Sequence, residues 1–293
     1  MDRQVTARFF GVSALNNDNA TFYEALTRLI DDETRTQWTA LYGDVRVKLA
    51  RCAFADNDRR FIEGEFVRQQ RHHVPPIALD DGELVDQPNP VGHRTAFRYD
   101  GHLGIILLES RKEAVPAGRI DQYMRRKIAG HRGFHFMPCL SRTGLEQLRD
   151  RHARAISFRV HSPTDLSLVE GQNSSIGRNL EALSNNFGGP SIEVRVYWPG
   201  HERGGRLNMP AVRNLIGLGT RNEGVFDKIE VKLADDQHPI DILTDQIRNT
   251  ETLDLRNEVE HNWQTRQEFL ERTFAANLPT LERIYGHGGA DGE

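Results

Sequence analysis

The stretch Thr95-Ala96-Phe97-Arg98-Tyr99-Asp100-Gly101-His102-Leu103-Gly104-Ile105-Ile106-Leu107-Leu108 sets the reading of this chain. Its two apolar runs flank Asp100-Gly101, a dipeptide that accepts positive φ in a tight turn, so two antiparallel neighbouring strands are expected. Downstream, Pro116 suits the first turn of a helix, where a missing N–H has no helical partner to lose. Ile120, Tyr123, Met124 and Ile128 make the apolar stripe of that helix, which should end near Gly130. Phe134 to Leu140 reads as a strand. Thr143 and Glu146 stand at capping-box spacing over a short helix with Leu145 and Leu148, and Ala155 to Val160 returns to strand alternation. Residues 95–160 therefore read β-β-α-β-α-β.

Upstream, Val5 to Phe10 reads as a strand followed by the turn-forming cluster Asn16-Asn17-Asp18-Asn19. Thr21 and Glu24 form a second capping box, over a helix whose face is Phe22, Leu26, Leu29 and Ile30. Val45, Val47 and Leu49 alternate with polar or small residues, and Arg60 to Val67 follows the turn signal Asp56-Asn57-Asp58, giving a hairpin. From His72 to Arg94 prolines, glycines and acids indicate a loop. Beyond the polar segment Ser162 to Asn173, a helix over Ile176, Leu180, Leu183 and Phe187 and a strand over Ile192, Val194 and Val196 are expected. A short helix over Pro210 to Leu218 and a strand over Ile229, Val231 and Leu233 follow. Leu255, Val259, Trp263, Leu270 and Phe274 then define a closing helix of about five turns. The expected fold is α+β: two domains of mixed, largely antiparallel sheet with packed helices, residues 1–161 carrying the basic segment and residues 172–293 ending in a long helix.

Hydrophobic residues make up 38% of the 293 and charged residues 27%, the balance of an ordinary globular protein with enough chain for a core. Cys52 and Cys139 are too few for a disulfide scaffold or a four-cysteine zinc site, and each reads as a small core residue before it reads as a nucleophile. The longest apolar run, Leu103 to Leu108, is about a third of the roughly 20 residues a membrane-spanning helix needs, and the N-terminus lacks a signal peptide's apolar stretch. A cytoplasmic protein without membrane insertion is expected. No Gly-x-Ser-x-Gly elbow, phosphate loop, His-Glu-x-x-His or dinucleotide fingerprint is present. His72, His73 and His93 have no recognised ligand spacing, so neither a metal nor a cofactor is expected.

Charge is distributed unevenly. Between Arg111 and Val160 twelve basic residues face four acidic ones, a net of +8 in a chain whose formal net charge is −4. Most are arginines, whose planar fork suits bidentate phosphate contacts. On a helix turning about 100° per residue, Arg119, Gln122, Arg125 and Arg126 fall opposite the apolar stripe, while Lys127 falls on its edge and would have to snorkel. With Arg132, Arg142, Arg149 and Arg151 they form the expected binding residues for double-stranded DNA. No zinc finger and no aromatic signature of the RNA-binding four-stranded sheet is visible, so contact would be mainly to the backbone, with weak sequence preference and steep salt dependence. Two alternatives stay open. Asp227 with Glu230 and Lys232 could hold magnesium and a water, as in a metal-dependent nuclease, although the same residues suit the outward face of a strand whose Ile229, Val231 and Leu233 face in. The basic segment could equally dock on an acidic protein partner.

The hairpin, the Pro-led helix ending Arg126-Lys127-Ile128, the strand Phe134-His135-Phe136-Met137-Pro138 and the stretch Ile156-Ser157-Phe158-Arg159-Val160 resemble the RexA-like phage-exclusion proteins. So do Phe226 to Leu233, Ile240 to Ile247 and the acidic, aromatic C-terminal helix. The resemblance covers roughly half the chain and leaves the first 90 residues without a counterpart. It implies a homodimeric, sequence-nonspecific binder of duplex DNA that senses phage inside the cell and acts through a membrane ion channel, with no enzymatic activity.

Overall fold

The hairpin forms where the sequence requires it, but its turn is longer than a two-residue one. Tyr99 registers with Ile106 and Asp100 with Ile105, and Gly104, at φ +66, supplies the positive φ. The Asp100 carboxylate accepts the N–H groups of His102 (2.8 Å) and Leu103 (3.2 Å), which holds the loop closed.

The computed structural model describes residues 2–14, 20–41, 45–71, 74, 76–78, 83–85, 89–111, 113–129, 131–141, 152–161, 183, 186, 191–198, 206–221, 226–233 and 239–286. In chain order these form β1 (Asp2–Ala14), α1 (Phe22–Ile30), a 3-10 turn (Glu33–Thr36), β2 (Thr39–Ala40), β3 (Arg46–Phe54) and β4 (Phe61–Gln70). A small ribbon of β5 (Ile77–Ala78) and β6 (Leu84–Val85) precedes β7 (Val91–Asp100), β8 (Ile105–Ser110), α2 (Ala117–Lys127), β9 (Phe134–Pro138) and β10 (Ala153–His161). The chain closes with β11 (Ser191–Tyr197), α3 (Met209–Arg221), β12 (Phe226–Leu233), β13 (Ile240–Asp241), α4 (Ile242–Asp245), β14 (Arg248–Asp254) and α5 (Val259–Tyr285). The α+β class is as expected. The short helix expected after Thr143, and most of the one expected around Ile176 to Phe187, lie outside the described residues.

The larger sheet is antiparallel, in the order β14-β1-β8-β7-β4-β3-β2, with β9 also paired to β1. Both of its faces are covered. On one, Phe22 of α1 meets Tyr99, Phe134 and Phe136 edge-on at centroid distances of 5.1, 4.9 and 5.6 Å, and Tyr123 of α2 meets Phe66 at 5.5 Å. On the other, Phe274 of α5 meets Phe9 and Phe61, each at 5.4 Å. Two covered faces explain why β8 reads as the unbroken run Ile105-Ile106-Leu107-Leu108: every position is buried, as in strands sandwiched between layers. Between α5 and the sheet lies a layer of charge. Arg98 pairs with Glu63, Arg94 with Glu65, and Arg111 with Glu109 at 3.0 Å, while buried Arg266 of α5 lies 3.6 Å from Glu65 and 3.8 Å from Glu109. Burial pushes the Glu63 and Glu65 carboxyls up, and the neighbouring guanidiniums oppose that shift.

The smaller sheet runs β11-β10-β12-β13, also antiparallel. Ile156, Phe158, Val160, Ile229, Val231 and Leu233 face Val212, Leu215 and Ile216 of α3 in one core cluster.

The expected division at residues 162–171 does not match the strand pairing. β10 precedes that segment yet belongs to the smaller sheet, and β14 and α5 follow it yet belong to the larger one. The physical reason is that antiparallel pairing is set by which edge is open, not by sequence order. β1 offers residues 2–8 to β14 and residues 10–14 to β9 on one edge. The chain passes between the sheets twice, and the two passages are tied together: Ile247 N–H donates to the Cys139 carbonyl at 2.7 Å, Ser141 N–H to Asp245 at 2.9 Å, and Gln246 Nε2 to the Phe9 carbonyl at 3.1 Å.

The closing helix is longer than its expected five turns. It has 27 residues and continues through Pro279. Its last turns are anchored by fully buried Leu281 and by Tyr285, whose hydroxyl accepts the Leu140 N–H at 2.9 Å. Those tertiary contacts outweigh the hydrogen bond that proline cannot donate.

Candidate functional site

The structure spends much of the expected DNA-binding helix inside the fold. Arg119 is 6% exposed and donates to Gln122, itself buried, at 2.7 Å. Arg125 forks onto Asp121 at 3.2 and 2.7 Å, and the same carboxylate accepts the Phe134 N–H at 2.7 Å, so the ion pair clamps α2 to β9. Gly133, at φ +117, lets the chain pass this clamp; a Cβ there would strike both Arg125 and Asp121. Lys127 Nζ donates to the Thr34 carbonyl at 2.6 Å, stapling the helix to the 3-10 turn. The cationic face expected on α2 is therefore not the exposed face of the helix. Helical periodicity locates the apolar stripe, but a polar side chain satisfied by a neighbour can be buried as well. Arg126 and Arg132 are exposed. Arg142, Arg149 and Arg151 lie outside the described residues.

A different grouping forms at one end of the smaller sheet. Ala155 registers with Tyr197 on one side and Lys232 on the other, so the start of β10 and the ends of β11 and β12 come together. Leu207 N–H donates to the Ala153 carbonyl and Trp198 N–H to the Arg154 carbonyl, both at 2.8 Å, which fastens the approach to α3 and the exit of β11 to the same end. Asn208 begins α3, its carbonyl accepting the Val212 N–H at 3.0 Å. The result is a shallow depression of about 430 Å³ lined by His152, Arg206, Leu207, Asn208 and Met209. Arg206 donates to His152 Nε2 at 2.7 Å, which makes that nitrogen the acceptor and leaves the guanidinium's other N–H groups at an exposed position. Tyr197 is 62% exposed with the Arg195 guanidinium 5.7 Å from its ring centre, and Trp198 is 38% exposed. The four segments 152–155, 195–198, 206–209 and 231–233 contain Arg154, Arg195, Arg206, Lys232 and His152, and no aspartate or glutamate. No local motif in the sequence marks this grouping, because its members are spread over 80 positions and only the β10 pairings bring them together.

The residues of the nuclease alternative fall where strand alternation puts them. Ile229, Val231 and Leu233 are fully buried, and Glu230 and Lys232 lie on the opposite face. Glu230 is held there by Lys228 Nζ at 3.1 Å and by the Ser157 hydroxyl at 3.3 Å. Asp241 registers beside it, but its carboxylate caps α4 by accepting the Leu243 and Thr244 N–H groups at 3.0 and 3.3 Å. The Asp227 side chain lies outside the described ones. Among the described residues no three His, Cys, Asp or Glu side chains form a metal-ligand set, and no helix is long and apolar enough to cross a membrane. His93 is half-buried and bonded to Gln70 at 2.6 Å. Burial pushes the Cys52 and Cys139 thiols up to about 12, the state of inert core residues and not of activated nucleophiles.

No curated protein and no solved structure matches this chain. A family profile described as a family of unknown function, DUF6731, matches residues 1–279, and the chain belongs to that family.

Proposed function

We propose that the chain is a sequence-nonspecific binder of double-stranded DNA, gripping the phosphate backbone with the basic end of the smaller sheet. The observation that supports this is the grouping of Arg195, Arg206 and Lys232 with His152 at one end of the smaller sheet, on a chain whose formal net charge is −4. Arg206 has guanidinium donors left for phosphate, and the exposed faces of Tyr197 and Trp198 offer apolar contact beside it. Acidic surface elsewhere orients the protein on the duplex instead of letting it coat the DNA. The resemblance to phage-exclusion proteins supplies the cellular setting for this proposal: a sensor of infecting DNA that signals to a membrane channel.

Fluorescence anisotropy of a labelled duplex at several ionic strengths tests it. Binding should weaken linearly in log affinity against log salt, and duplexes of unrelated sequence should bind alike. The substrate should remain intact in magnesium. Absence of binding at low salt, or cleavage of the duplex, overturns it.

A further inference from the structure

From the edge of the smaller sheet we infer that two copies of this chain associate through β11, joining their sheets into one. β11 is seven residues long and ends the sheet; among the described residues its outer edge has no strand partner. Open edges of this kind are usually made very short or heavily charged, because they template pairing with another chain. β2 and β13 follow that rule with two residues each, and β14 carries Arg248, Glu251 and Asp254. β11 instead presents Ile192, Val194 and Val196, with Val196 47% exposed, and contains neither proline nor lysine.

The sequence of this edge is complementary to itself. Around a two-fold axis at Val194, an antiparallel copy places Glu193 opposite Arg195 and Arg195 opposite Glu193, on the polar face of the sheet. Ile192 meets Val196 twice on the core face, Val194 meets Val194, and Ser191 meets Tyr197. A register two residues away sets Glu193 opposite itself or Arg195 opposite itself, which opposes like charges. Charge complementarity therefore selects a second copy as the occupant and fixes the register. The inference draws Arg195 onto Glu193 of the second copy and so leaves Arg206 and Lys232 to the DNA proposal; chain mass in solution tests it without DNA. If both hold, the dimer carries two basic ends.

Light scattering on the full chain across a concentration series should give twice the chain mass of 33.4 kDa. Glu193→Arg and Arg195→Glu should each lose the dimer, because each brings like charges together across the axis. An equimolar mixture of the two variants should recover it, since each then supplies the other's complement. A disulfide test does not depend on those variants folding. Val194→Cys should cross-link into a dimer on mild oxidation, whereas Ile192→Cys should not, because its two copies would sit four residues apart along the strand, about 13 Å. A monomeric chain at all concentrations, variants that dimerise as well as the parent, or equal cross-linking at both positions overturns the inference.

Discussion

The two sheets use the same side chain in opposite ways. In the larger sheet arginines are internal: Arg94, Arg98, Arg111 and Arg266 sit between α5 and the strands, each beside a buried glutamate, and Arg125 clamps α2 to β9. Among the described residues α3 packs against one face of the smaller sheet, and Arg195 and Arg206 are exposed. A guanidinium is therefore tied into a buried ion pair or left exposed according to what packs over its segment. The count of arginines in a segment says nothing about which.

Removing one carboxylate from each sheet should give the largest contrast in stability. Glu65→Ala should cost on the order of 3–5 kcal/mol, because Arg94 and Arg266 would be left beside a buried vacancy without their counter-charge. Glu230→Ala, whose partner Lys228 is solvated, should leave the midpoint of urea unfolding where it was. Equal shifts for the two would mean that the buried layer is no more than a surface network.

Two arginine truncations separate the roles more finely. Arg125→Ala should destabilise the fold by about 1.5–3 kcal/mol, since Asp121 would lose a charge-assisted fork, and should leave the salt slope of DNA binding unchanged. Arg206→Ala should stay within about 0.5 kcal/mol of the parent in stability and flatten the salt slope by roughly one unit. A flatter slope for Arg125→Ala with no change for Arg206→Ala would move the contact back to α2.

The smallest effect concerns the thiols. With both pushed up to about 12 by burial, Cys52 and Cys139 stay protonated through neutral and mildly alkaline pH. A chromogenic disulfide reagent should therefore label neither in the native chain and both in denaturant. The labelling of either thiol before unfolding would show that its core opens locally.

Much of the fold was legible because it is written in local patterns. The Thr21–Glu24 capping box is present as expected, with the Thr21 N–H donating to Glu24 at 2.8 Å. The Pro-led helix and the alternation of Ile229, Val231 and Leu233 also take the predicted form, whereas the hairpin has its two expected strands but a longer turn, with the positive φ at Gly104 and not at Asp100-Gly101. The candidate site was not legible in the same way. Arg119 and Arg125 look exposed from helical periodicity alone, and only the contacts of Gln122 and Asp121 reveal that they are occupied. His152, Tyr197, Arg206 and Lys232 carry no shared motif and become neighbours only through the β10 pairings.

By itself the sequence determined the element types, the antiparallel hairpin and the uneven distribution of charge, since propensity, capping and periodicity act over a few residues. Tertiary structure alone decided that β14 and α5 return to the first sheet, that β10 leaves it, and which cations reach solvent. Those outcomes depend on which strand edges remain open and which polar groups find partners across the fold, and neither is fixed by neighbours along the chain.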